Sequence, residues 1–359
     1  LSQAILDKLS GPEVNGDGAR DIFVLRRKKD NEQLTFLVNR GEQPFEGTVD
    51  GIALHLPPRG SKLIRGTSEL VKPVTTTEVL DLSSGWKVTF EPNQLPLNFW
   101  HTAIQGSGIN QTNFLQGSGY DLLIRQNDPC EGSDEPVSYF YRFMLTGSIP
   151  DASLVLEDAT ITGDWKLFVN DTEITDWRRA TVYDCRNRVA TVGHALSGGS
   201  TPTLNIIRIE TAGKGRGLKE IPYLYGSFTC EYRYGHRSFP FVTGTTGPLD
   251  ISLLQPWSIW GYPTFSGTAT YFKEINLTES GDYYLDLGQV EDLAAVRWDD
   301  QQVTVLAWPP YSCNLKKVTA GTHRLEIQVT NAPANRYRAA GLPAGLLGPV
   351  RLRRTAFHQ

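Results

Sequence analysis

Seven acidic side chains stand where paired carboxylates could do general acid–base work: Glu157, Asp158 and Asp164 in one stretch, and Asp286, Glu291, Asp299 and Asp300 in another. Cleavage of a glycosidic bond would suit such a pair, with the carboxyl groups about 5 Å apart for retention or about 6.5 to 9.5 Å apart for inversion. Spacing along the chain singles out no pair. Asp164 and Asp299-Asp300 also fall at expected turns, where Asp is common because its side chain bonds the local backbone. No residue is therefore assigned a catalytic role. Other chemistries find less support. The six histidines (His55, His101, His194, His236, His323, His358) form no HxxxH or HExxH pattern. Cys130, Cys185, Cys230 and Cys313 form no CxxC, so no metal site is expected. Gly213-Lys214-Gly215-Arg216-Gly217 lacks the GxxxxGK[ST] pattern and reads as a mobile loop. Gln105-Gly106-Ser107-Gly108 and Gln116-Gly117-Ser118-Gly119 are not GxSxG, and the polar stretch from Gln105 to about Pro136 reads as loop.

The elements that must position any site are strands. Of 359 residues, 34 are Gly and 21 Pro, and aromatics make up 10%, a mixture of turn formers and strand formers. The net charge of −4 argues against a nucleic-acid partner. No apolar run of about 18 residues exists, so no membrane span is expected. A short helical pattern (Leu1, Ile5, Leu6, Leu9) precedes alternating segments from Asp21 to Ile64, which read as hairpins. Thr67 to Glu78 reads as a linker, and Leu80 to Phe90 as the entrance to a new domain.

An internal repeat gives the strongest organisational signal. Tyr139 to Phe143, Leu154 to Glu157, Lys166 to Asp171 and Leu204 to Ile209 find counterparts in Thr268 to Lys273, Tyr284 to Gly288, Val296 to Asp300 and His323 to Val329. The matched strands keep their order and lie about 120 to 130 residues apart. Asn170-Asp171 and Asp299-Asp300 fall at the same hairpin position in each copy. Two successive β-sandwiches follow, with no βαβ units between their strands. The division expected is a short helix plus small β-module over 1–66, a linker over 67–79, a first β-sandwich over 80–240 and a second over 241–359.

The second copy carries Gly261-Tyr262-Pro263-Thr264-Phe265-Ser266-Gly267, Trp308-Pro309-Pro310-Tyr311, Val329-Thr330-Asn331, Asn335-Arg336 and Gly345-Leu346-Leu347-Gly348-Pro349-Val350. This succession resembles the C-terminal region of large glycoside hydrolases: the family containing alpha-L-rhamnosidases on a (β/α)8 barrel, and the jelly-roll sugar-binding domains of family 2 enzymes. Leu95-Pro96-Leu97-Asn98, Phe168-Val169-Asn170 and Tyr225-Gly226-Ser227-Phe228 extend the resemblance to the first copy, and Arg20 to Arg40 resembles the β-module that follows such a barrel. The fold implied is all-β, a small antiparallel hairpin module followed by two jelly-roll (galactose-binding-like) β-sandwiches.

No stretch of the chain alternates strand and helix eight times, and its first residue is Leu1. The expectation is a non-catalytic C-terminal part of a glycoside hydrolase, whose partners are an upstream catalytic barrel domain of the same polypeptide and an oligo- or polysaccharide. Such a role implies an extracytoplasmic setting, periplasmic or secreted. The sequons at Asn110, Asn170 and Asn276 would matter only in a secretory pathway. No cofactor is expected, with a structural calcium ion the one case left open. A sugar needs an aromatic platform and a few directed polar groups. The candidates are Trp257, Trp260, Tyr262, Trp308 and Tyr311, with Asn335 and Arg336 nearby. Most aromatics of a sandwich pack in the core, so structural packing comes first for each, contact with the catalytic domain second and glycan contact third; Asn331 and Asn335 could hold loops through side-chain-to-backbone bonds. Two other readings stand beside this one: a free-standing lectin-like module, and a structural or assembly protein without sugar binding.

Overall fold

The computed structural model describes residues 12–29, 32–65, 76–104, 120–123, 135–182, 186–232, 240–338 and 342–355. The helical pattern over Leu1 to Leu9, the linker residues 67–75, the sequon at Asn110, and Cys130 and Cys185 lie outside them. The described chain is all-β, in sheets that are antiparallel apart from the parallel pairing of Val137–Thr146 with Phe241–Gly244. No described helix is long and apolar enough to cross a membrane.

At the N-terminus two three-stranded sheets face each other. One holds Val14–Asp17, Phe45–Val49 and Ile52–Leu56; the other holds Ile22–Lys29, Glu32–Asn39 and Ser61–Arg65. Strand alternation sends Ile22, Leu37 and Ile64 inward to meet Phe45, Val49, Leu54 and Leu56. The buried Asn39 ties the turns together: its amide donates to the Gln43 carbonyl at 2.8 Å, and its side-chain oxygen accepts the Gly41 N–H at 2.9 Å.

The first sandwich sets the path Tyr120–Leu123, Phe99–Ile104, Val137–Thr146, Thr203–Leu218, Ile161–Val169, Thr172–Glu173 against Arg178–Arg179, Arg188–Thr191, Ser153–Leu156, Tyr223–Gly226, Asn93–Pro96. Its core is filled by Trp100, Tyr139, Phe143, Leu154, Leu167, Ile209, Phe228 and their neighbours. Two loop expectations give way here. Tyr120–Leu123 pairs with Phe99–Thr102 as a strand. The glycine-rich Gly213 to Gly217 lies within the long strand Thr203–Leu218: Thr162 pairs with Gly217 and Asp164 with Ala212, so the intervening residues bulge outward. Left-handed φ at Gly213 and Gly215 permits that excursion.

The second sandwich sets Leu249–Leu253, Ser84–Phe90, Thr268–Leu277, Gly321–Thr330, Leu293–Trp298, Gln301–Leu306 against Ser312–Val318, Gly281–Asp286, Arg351–Thr355, Thr76–Asp81. The segment from Leu80 to Phe90, expected to open the first sandwich, is paired into both sheets of the second: Leu80 with Leu352, and Lys87 with Phe272. Leu82, Trp86 and Val88 lie in the same core as Tyr271, Leu285 and Ile327. The strands of the first sandwich are thus inserted between two parts of the second.

Both hairpin positions expected from the repeat are turns with left-handed residues, Asn170 in one copy and Asp299 and Asp300 in the other. The outer face of the second sandwich is polar, with Asp250, Lys87, Phe272, Glu326 and Arg297 side by side across five strands. Opposite charges placed next to one another suit a solvated sheet.

His323 clasps the second hairpin from inside. Its Nδ1 lies 2.7 Å from an Asp299 carboxylate oxygen and its Nε2 lies 2.8 Å from the Thr319 carbonyl. Both partners accept, so the doubly protonated ring suits the site. Burial opposes the charge, but the Asp299 and Thr319 hydrogen bonds and the Asp299 charge leave the His323 pKa above its usual value. Burial likewise opposes ionisation of Asp299, but the Arg324 N–H and His323 hold its pKa below the usual carboxylate value. A raised histidine stabilises fully below its unfolded pKa of about 6.5 and loses that contribution as pH rises through the folded value. A lowered carboxylate loses its contribution as pH falls through its own folded value. The expected outcome is a melting temperature that falls as pH rises from slightly acid to alkaline, with the His323 part of the fall absent in His323→Gln; thermal denaturation across that range measures it.

Candidate functional site

The aromatic residues expected to form a sugar platform are distributed between the core, a seam and a joint. Trp257 is fully buried. Its indole N–H donates to the Tyr271 hydroxyl at 2.7 Å, and its ring meets Phe90 and Phe265 edge-on at 5.5 and 5.3 Å. Trp260, at the end of the same short 3-10 turn, is half-buried with its ring 6.4 Å from that of Tyr271. Tyr262 is buried and stacks on Phe90 at 3.8 Å with the planes 9° apart.

Tyr311 is also buried, its hydroxyl donating to the Asp292 carbonyl at 2.5 Å. Burial, then Glu291 and Asp292, push that hydroxyl up to about 12. Asn335 clasps its loop, with its amide donating to the Leu342 carbonyl at 3.0 Å and its side-chain oxygen accepting the Leu342 N–H at 2.8 Å. Asn331 does the same between Phe265 and Gly267. Arg336 is buried beside it, and its backbone N–H donates to Ser266 Oγ at 3.1 Å.

Trp308 differs from the rest, being 58% exposed. It lies edge-on to Phe36 of the N-terminal module at 6.3 Å, and the next residue, Pro309, accepts both the N–H and the hydroxyl of Ser61. The Trp308-Pro309-Pro310-Tyr311 segment is therefore a joint between that module and the second sandwich. Phe36 shares its sheet face with Phe23, Leu25 and Leu63, all exposed, Leu63 by 61%. A contiguous apolar face results, formed by Phe23, Leu25, Phe36, Leu63 and Trp308.

Five of the seven candidate carboxylates are each engaged by a neighbouring donor. Asp158 pairs with Arg179 at 2.7 Å, Asp299 with His323, and Asp300 with Arg324 at 3.4 Å. Asp286 accepts the Gly288 N–H at 3.0 Å, and Glu291 takes the Gln289 amide at 3.1 Å. Among the described residues, no group of three or more His, Cys, Asp or Glu side chains is placed to hold a metal ion.

The seam between the sandwiches is closely fitted. Gln94 of the first sandwich accepts the Thr264 hydroxyl at 2.8 Å on its carbonyl and the Ser266 N–H at 3.2 Å on its side chain. Cys230 N–H donates to the Gly261 carbonyl at 2.8 Å. Gly261 has a φ of 88°, and a Cβ there would come within 2.6 Å of Thr229, so the approach requires glycine.

Beside this contact is a cavity of about 180 Å³, lined by Phe90, Glu91, Ser227, Thr245, Leu249 and Tyr262 among others. Burial raises the Tyr262 hydroxyl to about 12, opposed by its hydrogen bond with Thr245. Glu91 and Thr245 were not among the residues singled out from the sequence, and Ser227 entered only as part of the Tyr225-Gly226-Ser227-Phe228 motif, without a role of its own. They come from three separate segments, and only the Glu91-Pro92-Asn93 break between alternating strands hints at them. A shallower groove of about 600 Å³ on the outer face of the second sandwich is lined by Lys87, Phe272, Lys273, Glu274 and Arg324 among others.

No family model matches the chain, and no curated protein matches it. Among solved structures, the chain is similar to a rhamnosidase from Novosphingobium sp. PP1Y, with 16% identity over 98% of this chain and 25% of that one, at a TM-score of 0.36. It is also similar to a beta-D-mannosidase from Dictyoglomus thermophilum, with 10% identity over 67% of this chain and 31% of that one, at a TM-score of 0.27. A third is a lectin from Pleurotus ostreatus in complex with GalNAc, with 10% identity over 72% of this chain and 77% of the lectin, at a TM-score of 0.17. The structural neighbours are thus glycoside hydrolases and a lectin, and this chain spans 25% of the rhamnosidase's length.

Tyr271 is the polar centre of the aromatic cluster. Its hydroxyl accepts from the Trp257 indole at 2.7 Å and from the Leu346 N–H at 3.1 Å. Tyr271→Phe strands both donors, and a buried donor left without a partner costs about 1–3 kcal/mol. Urea denaturation should show a loss in that range for each, and combining Trp257→Phe with Tyr271→Phe should cost less than the sum of the two single changes.

Proposed function

We propose that this chain is the non-catalytic β-sandwich part of a glycoside hydrolase, which braces an upstream catalytic barrel of the same polypeptide and contacts glycan. The observation that carries this reading is the apolar face of Phe23, Leu25, Phe36, Leu63 and Trp308. An exposed cluster of large apolar side chains marks a surface meant to be covered. The opposite face of the same sheet already fills the module's own core, so this face serves another body. Arg27, exposed and next along the same strand face, continues it with a positive charge. A covering surface with an apolar centre and an acidic margin would match it. An enzyme that works on polysaccharide would place the chain outside the cytoplasm.

Phe23→Lys and Leu63→Glu alter exposed positions, where substitutions usually change stability by about 0.5 kcal/mol or less. In the intact polypeptide the pair is expected to lower the melting temperature of the catalytic part and to increase proteolytic release of this region. The chain alone should melt as before. Unchanged melting of the intact polypeptide would overturn the bracing role. Glycan-array binding by the chain alone, without any effect of these substitutions on the intact polypeptide, would favour the lectin-like reading.

A further inference from the structure

We propose that the cavity at the seam of the two sandwiches is a binding site for one pyranose ring, held through vicinal hydroxyls that donate to Glu91 and to the hydroxyls of Ser227 and Thr245. This deepens the glycan-contact reading above by naming its site, and it does not depend on the apolar face.

The size of the cavity selects the ligand. About 180 Å³ lies below the range of about 300–1,000 Å³ typical of drug-sized ligand sites. It corresponds to about six waters, each with a share of about 30 Å³. One sugar ring is of that scale and a disaccharide is not. The mouth is open where Gly247 adopts a φ of 80°, with nothing within 4 Å of the place a Cβ would occupy.

The polar lining selects the chemistry. Glu91 is exposed, and its Oε2 already accepts the Thr268 N–H at 2.9 Å, which fixes the carboxylate while its second oxygen stays available to a ligand. Ser227 donates to Asp151 at 2.7 Å, so its oxygen can still accept. Burial, then Glu91 and Asp151, push the Tyr225 hydroxyl above its usual value. Among the described residues, no Lys or Arg lines the cavity. A site rich in fixed acceptors and without a cation calls for a neutral ligand with several hydroxyl donors. Phe90, Leu249 and the Tyr262 ring supply the apolar side that a sugar's C–H groups require.

The test is saturation-transfer NMR on the full chain with D-glucose, D-galactose, D-mannose and L-rhamnose offered in turn, and then each with added Ca2+, where occupation by the ion shows as loss of the sugar signal. At least one sugar is expected to receive saturation. Glu91→Gln keeps an acceptor for Thr268 and should weaken that sugar about tenfold. Ser227→Trp, at an exposed position, should fill the cavity and abolish the signal. Thr245→Val provides an independent readout if the tryptophan variant does not fold, and Leu63→Glu on the apolar face should leave sugar binding unchanged. Three results would each overturn the proposal: no transfer to any of the four sugars, transfer undiminished in Glu91→Gln and Thr245→Val, or occupation by Ca2+ in place of sugar.

Discussion

The pairing of Lys87 to Phe90 with Ala269 to Phe272 is the constraint on which the rest of the architecture depends. Its outermost pair, Lys87 with Phe272, joins residues separated by 272 − 87 = 185 positions, and the first sandwich lies between them. Without this contact Trp86 and Val88 would leave the second core, and the sheet that carries Tyr271 would lose Ser84–Phe90 and, beyond it, Leu249–Leu253 on one side. Closing a loop of that length costs entropy that grows only slowly with length, and a folded sandwich within it shortens the effective loop. Pairings this distant in sequence are slow to form, so the inner sandwich has reason to fold before the outer one closes around it.

The strands themselves were legible. Alternation of apolar and polar residues located the inward sides of the central strands, and the two Asn/Asp turns marked equivalent hairpins in the two copies. Pairing across the insertion was not legible from Leu80 to Phe90 alone. Period-two alternation says which side chains point inward, but it carries no information about which of two similar sheets receives the strand. The same limit applies to Gly213 to Gly217, whose glycines suit a loop and a strand bulge equally well.

Aromatic clustering near Trp257 was visible too, but clustering alone does not say whether a ring faces a ligand or a core. Trp257 and Tyr311 each direct their polar atom to an internal acceptor, which is how large amphipathic rings are usually buried. Trp308 is exposed instead, and what distinguishes it is a neighbour, Phe36, from the far end of the chain. The cavity residues were hidden for a related reason. Glu91, Ser227 and Thr245 are ordinary one at a time and are brought together only because two sandwiches meet there.

The inserted sandwich is reached through Glu91-Pro92 and left through the stretch between Gly244 and Leu249, so it is attached at two points. A body joined by one strand can swivel about it; a body joined by two, with Gln94 and Cys230 bonded across the gap, has no free axis of rotation. Torque applied to either half is therefore transmitted to the other as by a rigid bracket.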